Sequence, residues 1–314
     1  MMVWRRLREL LLFVPVLVGL AVMLDAGAPL ARWGVHLVSA LLGWFTYLIV
    51  RRLPGDGGWT GSRWLALASV AVIGSTLLGA AVDGVLRWHL IGPLRLHCSA
   101  LLAPVLIVMA AGAIRARPLA TGLCLTVCQL VHVAQPDAGQ ATALGVAAAW
   151  LLVKEANSLV ARALGIANAA AIAVAWLRPD PLPPAPFVED IVAVAFRGGS
   201  LVGVLALLSM IPLVLAPLAP TLASAASPTG KSARVSLALY LAGTIVVPVF
   251  GEFPVPLLGF GPSPVVGAFL GLAALDVLVR RHQAAAGSDA PSSSQPTDLS
   301  RTNARIAGLR VSIS

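Results

Sequence analysis

Ten apolar runs, parted by short basic or proline-rich stretches, set the narrowest limit on what this chain can become. They are Leu10–Leu24, Trp33–Val50, Trp64–Val82, Ser99–Ile114, Leu119–Val133, Ala141–Val153, Leu159–Leu177, Ile191–Leu215, Val235–Val249 and Val265–Val279. A helix needs about 20 apolar residues to cross a hydrocarbon core. Backbone groups inside lipid must find their partners within the segment, so the runs predict membrane helices. Only 11% of the residues are charged, against about 25% in soluble domains. The expected fold class is an all-α polytopic membrane protein.

Charge placement tests the count. With the N-terminus inside, alternate gaps carry Arg5, Arg6 and Arg8; Arg51, Arg52 and Arg63; Arg115 and Arg117; Lys154 and Arg162; Lys231 and Arg234; then Arg280 and Arg281. The opposite side holds only Arg32, Arg87, Arg95 and Arg178, and Arg197 falls inside a run. Basic loops stay in the cytoplasm, so this alternation predicts ten crossings with both termini cytoplasmic. The formal charge of +9 is thus spent on orientation, and no nucleic-acid partner is expected. The basic N-terminus and the run after it are read as the first transmembrane helix rather than a cleaved signal. Residues 1–283 are expected to form one transmembrane domain. Residues 284–314 are Ser/Pro-rich and read as a disordered cytoplasmic tail, and Thr221–Ser232 as a small-residue loop. Cys124 and Cys128, one helical turn apart, read as packing residues.

Four unusual segments fall on the outer side: "GVLRWHLIGPLRLHCSALLAP" (Gly84–Pro104), "QPDAGQ" from Gln135, "RPDPLPPAPFVED" (Arg178–Asp190) and "GEFPVPLLGFGPSP" (Gly251–Pro264). Proline and glycine break helices, so each predicts a re-entrant or interfacial stretch. Irregular backbone at membrane depth is tolerated where it lines a wet cavity, and four such stretches on one side predict a shared one. On residues alone, Asp137 before a helix reads as a cap or turn, and Arg87 beside Trp88 as an interfacial anchor. Glu189 and Asp190 read equally as helix-start acids. His89 and His97 are not expected to hold metal.

These segments also resemble the SEDS family, the FtsW/RodA/SpoVE group of membrane glycosyltransferases that polymerise peptidoglycan from lipid II. The first is similar to G-x-x-R-W…G…Q-P-S-E-x-x-K, "QPDAGQA" to Q-P-D-x-G-T-A, and "PVFGEFPVPLLGFGPSP" to P-V-T-G…L-P-F-x-S-Y-G-G-S-S. The likeness runs to about His282. It departs at His97–Ala103, where the family's acid and lysine are missing, and at Gly259–Pro264. The family's long outer loop shrinks to about a dozen residues before "PPAPFVEDIVAVAFRGG". Ungapped spacing from Pro184 sets Glu189 at the family's catalytic aspartate, whereas residue identity favours Asp190.

The resemblance implies a multi-pass protein of the bacterial inner membrane, active in cell-wall assembly for division or shape. Its implied substrate is a lipid II-like precursor, and its implied partner a single-pass class B penicillin-binding transpeptidase among the membrane lipids. Either Glu189 or Asp190 would be the catalytic base. Arg87, Trp88, Arg95, Gln135, Asp137 and Ser263 would contact substrate. No protein metal site is expected; the cofactor is left unassigned, with a divalent cation open. Two other readings stand: a noncatalytic scaffold for a transpeptidase, and a flippase or transporter of the lipid-linked precursor.

Overall fold

The computed structural model describes residues 2–53, 61–92, 94–218 and 227–288. Every apolar run lies on a helix or helix series. The first is split into α1 (Met2–Leu11) and α2 (Phe13–Asp25), followed by α3 (Leu30–Val50) and α4 (Gly61–Ser75). Next come α5 (Cys98–Ala113), α6 (Pro118–Ala134), α7 (Ala138–Glu155) and α8 (Leu159–Trp176). The eighth run becomes α9 (Ile191–Arg197), α10 (Ser200–Ser209) and α11 (Ile211–Leu215), before α12 (Pro228–Val246) and α13 (Pro262–Ser288). Among the described residues five helical stretches are long and apolar enough to cross a membrane: Leu7–Asp25, Leu30–Val50, Leu159–Trp176, Pro228–Val249 and Pro262–Ala284. Four more, Arg63–Leu78, Cys98–Ala113, Pro118–Ala134 and Ser200–Leu215, are apolar but shorter.

The core forms where α5, α7, α12 and α13 pack together. On α5, Leu106, Ile107, Val108 and Ala111 are all buried, as a helix apolar on every side requires. Bare backbone brings the helices close. A Cβ on Gly267 of α13 would overlap the Ala100 carbonyl oxygen, and one on Gly243 of α12 would lie 2.7 Å from Ala143 Cα. Small residues at crossings are how membrane helices gain dispersion contact when lipid offers no hydrophobic drive. The outer faces of α3, α8 and α10 present Leu41, Phe45, Leu159, Ile166, Leu201 and Leu205 outward, a surface suited to acyl chains. The protein is therefore a multi-pass membrane protein.

Several expectations change in detail. The all-α expectation gives way locally to a β-hairpin, β1 (Trp88–Ile91) and β2 (Leu94–His97), antiparallel with Trp88 opposite His97. Gly92, at φ +57°, supplies the left-handed turn it needs. The run expected to span Trp64–Val82 leaves α-helix at Ser75 and ends in a short 3₁₀ turn at Leu78. Gly199, at φ +134°, separates α9 from α10, and Pro212 sits in the first turn of α11, so Ile191–Leu215 is not one helix. Helix α12 already starts at Pro228, capped by Ser227 Oγ accepting from Gly230 N–H, so the expected loop is shorter at its end. Helix α13 runs on to Ser288; the rest of the expected tail, 289–314, lies outside the described residues.

One polar cluster ties α1 to α3 and α13. Arg8 of α1 donates to both carboxylate oxygens of Asp276 on α13, at 3.1 and 2.6 Å, and to Tyr47 Oη of α3 at 2.7 Å. Arg51 pairs with Glu9, and Arg280 donates to the Arg51 carbonyl. The first and last helices therefore close at the same end of the bundle. The four irregular segments meet at the other.

Candidate functional site

The opposite end is built by the hairpin, the α6–α7 turn, the α8–α9 loop and the α12–α13 loop. They are stitched by hydrogen bonds rather than by length. His97 N–H donates to Ser263 Oγ at 2.9 Å, tying β2 to the start of α13. Phe260 N–H donates to the Phe187 carbonyl at 2.7 Å and Val255 N–H to the Val188 carbonyl at 3.3 Å. Gly259 permits this approach, since a Cβ there would lie 2.5 Å from the Val188 oxygen. Arg32 donates to the Pro186 carbonyl from a third side, at 3.2 Å.

These segments enclose a cavity of about 70 Å³ lined by Arg87, Trp88, His97, Asp137, Asp180, Glu189 and Glu252, with Tyr240 and Pro254 among its apolar and aromatic walls. A second recess adjoins it, sharing Asp180, Leu182, Glu252 and Phe253. The shared cavity expected from the four segments is thus present.

Arg87 is buried and heavily engaged. Its Nε donates to the Gln135 carbonyl at 3.2 Å, and Nη2 donates to the Pro136 carbonyl and to Asp180 Oδ2, the latter at 2.6 Å. Asp137 Oδ2 lies 3.9 Å from Arg87 Nε and 3.2 Å from His97 Nε2. Its other oxygen accepts from Gln140 N–H at 3.0 Å, the cap that the sequence predicts for α7. Burial would raise the Asp137 pKa, but Arg87 and His97 overcome it and hold the carboxyl well below the usual carboxylate range. His97 Nδ1 accepts from Ala100 N–H at 3.3 Å, which leaves Nε2 as the protonated nitrogen facing Asp137. Trp88 meets the His97 ring edge-to-face at 5.8 Å.

The two candidate bases separate cleanly. Glu189 lines the cavity, half-buried, with Oε2 accepting from Ala185 N–H at 2.7 Å. Burial, with Asp190 and Glu252 nearby, pushes its pKa up to about 7. Asp190 is not a lining residue. Its Oδ1 accepts from Phe187 N–H at 2.6 Å, and Oδ2 faces Arg197 at 3.6 Å, the pairing that seven-residue spacing suggests. Phe187 holds φ +65° between the two loops, a strained conformation kept by its bonds to Asp190 and Phe260.

Of the expected substrate contacts, Arg87, Trp88 and Asp137 reach the cavity. Gln135 and Ser263 are buried behind it, Gln135 Nε2 donating to Thr76 Oγ1 and Ser263 anchoring β2. Arg95 is exposed on the hairpin opposite Leu90 and does not line the cavity. Asp180, His97 and Glu252 join the site without having been singled out as substrate contacts. Nothing local distinguishes Asp180 or Glu252 from ordinary loop acids; only the convergence of distant loops does. Among the described residues no three His, Cys, Asp or Glu side chains come together as a metal site.

The fold and this end-on cavity define a class: a helical multi-pass protein whose loops, not a soluble domain, build the site. The particular likeness is to RodA. The chain superposes on the rod shape determining protein RodA of Thermus thermophilus with TM-score 0.62 at 19% identity, covering 87% of this chain and 95% of that one. A variant of that RodA with one Asp changed to Ala matches with the same TM-score over 96% of its length. A chain from a peptidoglycan synthase complex that coordinates polymerization and crosslinking matches with TM-score 0.57 at 18% identity, over 98% of its length. No protein-family model matches the sequence, and comparison with curated proteins finds no match. The fold is SEDS-like.

Proposed function

We propose that this chain crosses the bacterial inner membrane ten times with both termini in the cytoplasm, and that it acts in peptidoglycan assembly as a lipid II-type glycosyltransferase. The observation that carries this reading is Glu189: a carboxyl lifted to about 7 on the wall of the cavity where all four irregular segments meet. A general base works best when its pKa lies near the operating pH. Deprotonated Glu189 would take the proton of an acceptor sugar hydroxyl as that oxygen attacks the anomeric carbon of the lipid-linked donor. The bond to the lipid diphosphate breaks, and Arg87 on the cavity wall would receive the departing charge. Trp88 would bound the sugar-binding space. Asp137 fixes Arg87 and His97, so it positions and does not react.

Purified full-length protein supplied with lipid II tests this, with glycan chains resolved on gels. Glu189→Gln should cut polymerisation by at least about 100-fold, while Asp190→Asn retains most of it. Absence of product from the unaltered chain, under conditions where RodA polymerises, overturns the catalytic reading.

One observation favours a second reading, the scaffold. Among the described residues Arg87 is the one Arg or Lys on the cavity wall, and carbonyls and carboxylates already occupy it. A scaffold would hold a class B penicillin-binding transpeptidase without chemistry. Such a protein would co-purify with a single-pass transpeptidase, and Glu189→Gln would leave that complex intact.

A further inference from the structure

Four carboxylates, those of Asp137, Asp180, Glu189 and Glu252, share the cavity wall with Arg87. Carboxylate charge so close to Arg87 opposes the approach of a second anion to it. Asp137 belongs to the fixed frame, buried and capping α7. Asp180 does not. It sits on the exposed stretch Pro179–Pro184, and its side chain remains 26% accessible even while bonded to Arg87. Leu182 N–H bonds within the stretch, to Asp180 Oδ1 at 3.3 Å. Among the described residues, the Arg87–Asp180 contact is the one hydrogen bond or ion pair that ties Pro179–Pro184 to the rest of the molecule. The same stretch brings Asp180 and Leu182 to both recesses, so with Glu252 and Phe253 it forms the wall between them.

We propose that Asp180 is a built-in substitute for a diphosphate. It pairs with Arg87, and an arriving diphosphate displaces it, swinging Pro179–Pro184 outward and joining the two recesses. This rests on the reading of the site as one for a lipid-linked diphosphate substrate. The chemistry is an exchange of one oxyanion for another on the same guanidinium, with no bond made or broken covalently. A charge-assisted contact at 2.6 Å is strong enough to hold the strap. Asp137 stays 3.9 Å from Arg87 Nε and the Gln135 and Pro136 carbonyls still accept from the guanidinium, so losing Asp180 does not leave it without partners.

The test is binding of inorganic pyrophosphate to the full-length protein in detergent, by titration calorimetry. Asp180→Asn should bind at least about tenfold tighter than the unaltered chain, because a like charge no longer opposes the ligand. Adding Arg87→Gln to that variant should abolish the gain. Equal affinities for the unaltered chain and Asp180→Asn overturn the proposal. Should Asp180→Asn fail to fold, Leu182→Cys in the otherwise unaltered chain serves instead. Pyrophosphate should raise its alkylation rate at least about threefold, as expected of an opened strap; an unchanged rate overturns the proposal. Repeating the titration with polyprenyl diphosphate in phosphatidylcholine vesicles separates the ligand sources. A gain for pyrophosphate alone keeps the latch and removes the lipid-linked assignment. Binding is read without turnover, so failure of the Glu189 chemistry leaves this result standing.

Discussion

Adjacent acids divide between two tasks at Glu189 and Asp190. In sequence they differ by one position, and a one-residue gap in the comparison moves the assignment from one to the other. The tertiary fold separates them because Asp190 turns back to Phe187 N–H and Arg197, while Glu189 is left over the cavity. Burial raises the Glu189 pKa from 4.5 to about 7, so its charged, base-competent form grows as pH rises. Polymerisation should therefore climb through a midpoint near pH 7, and an assay across that range should show the inflection vanish in Glu189→Asp if burial is relieved by the shorter side chain. The linked stability runs the other way. The folded state holds the Glu189 proton more tightly than the unfolded chain. Its stabilisation is complete below the ordinary value of 4.5 and is lost as pH rises through about 7. A profile flat in this range overturns Glu189 as the base.

At the scale of elements, the bundle depends on backbone contact at a few helix crossings. Gly267 meets Ala100, and Gly74 of α4 has open space where a Cβ would go. Gly267→Ala should lower thermal stability in detergent by about 1–3 kcal/mol or more, since a carbonyl cannot move aside. Gly74→Ala should be neutral or stabilise by about 0.5–1 kcal/mol through lost chain entropy. Matching effects at both positions would refute close packing of α5 on α13. Helix positions were legible in the apolar runs, because burial in lipid or protein imposes the same demand on every span. The hairpin and the breaks in the eighth run were less so. Gly92, Gly199 and Pro212 mark turns and interruptions, but hydropathy averaged over a window hides them. The N-cap at Asp137 was legible because a cap is a local hydrogen bond, made three residues away.

For the molecule as a whole, the Arg8–Asp276 pair ties α1 to α13 at the end of the bundle opposite the cavity. Membrane-impermeant maleimide on intact cells tests the sidedness. Arg95→Cys on the hairpin should label directly, and Arg117→Cys before α6 only after permeabilisation. Both positions are exposed, so equal labelling would refute the arrangement and not reflect burial. Cys98 and Cys128 are buried and Cys124 is half-buried, so the unaltered chain labelled in parallel sets the background.

Composition and the rhythm of basic residues determined, unaided, that this chain belongs in a membrane, where its helices fall and which loops gather at one end. Those properties follow from the cost of exposing polar groups to hydrocarbon, which acts on each segment separately. The tertiary structure alone decided which acid faces the cavity, that Arg95 stands outside it, and that Arg87 already has Asp137 and Asp180 for company. The Arg87 contacts to Gln135 and Asp180 join residues 48 and 93 positions apart in the chain. Electrostatics at a few ångströms depends on such convergence, and no local pattern of residues encodes it.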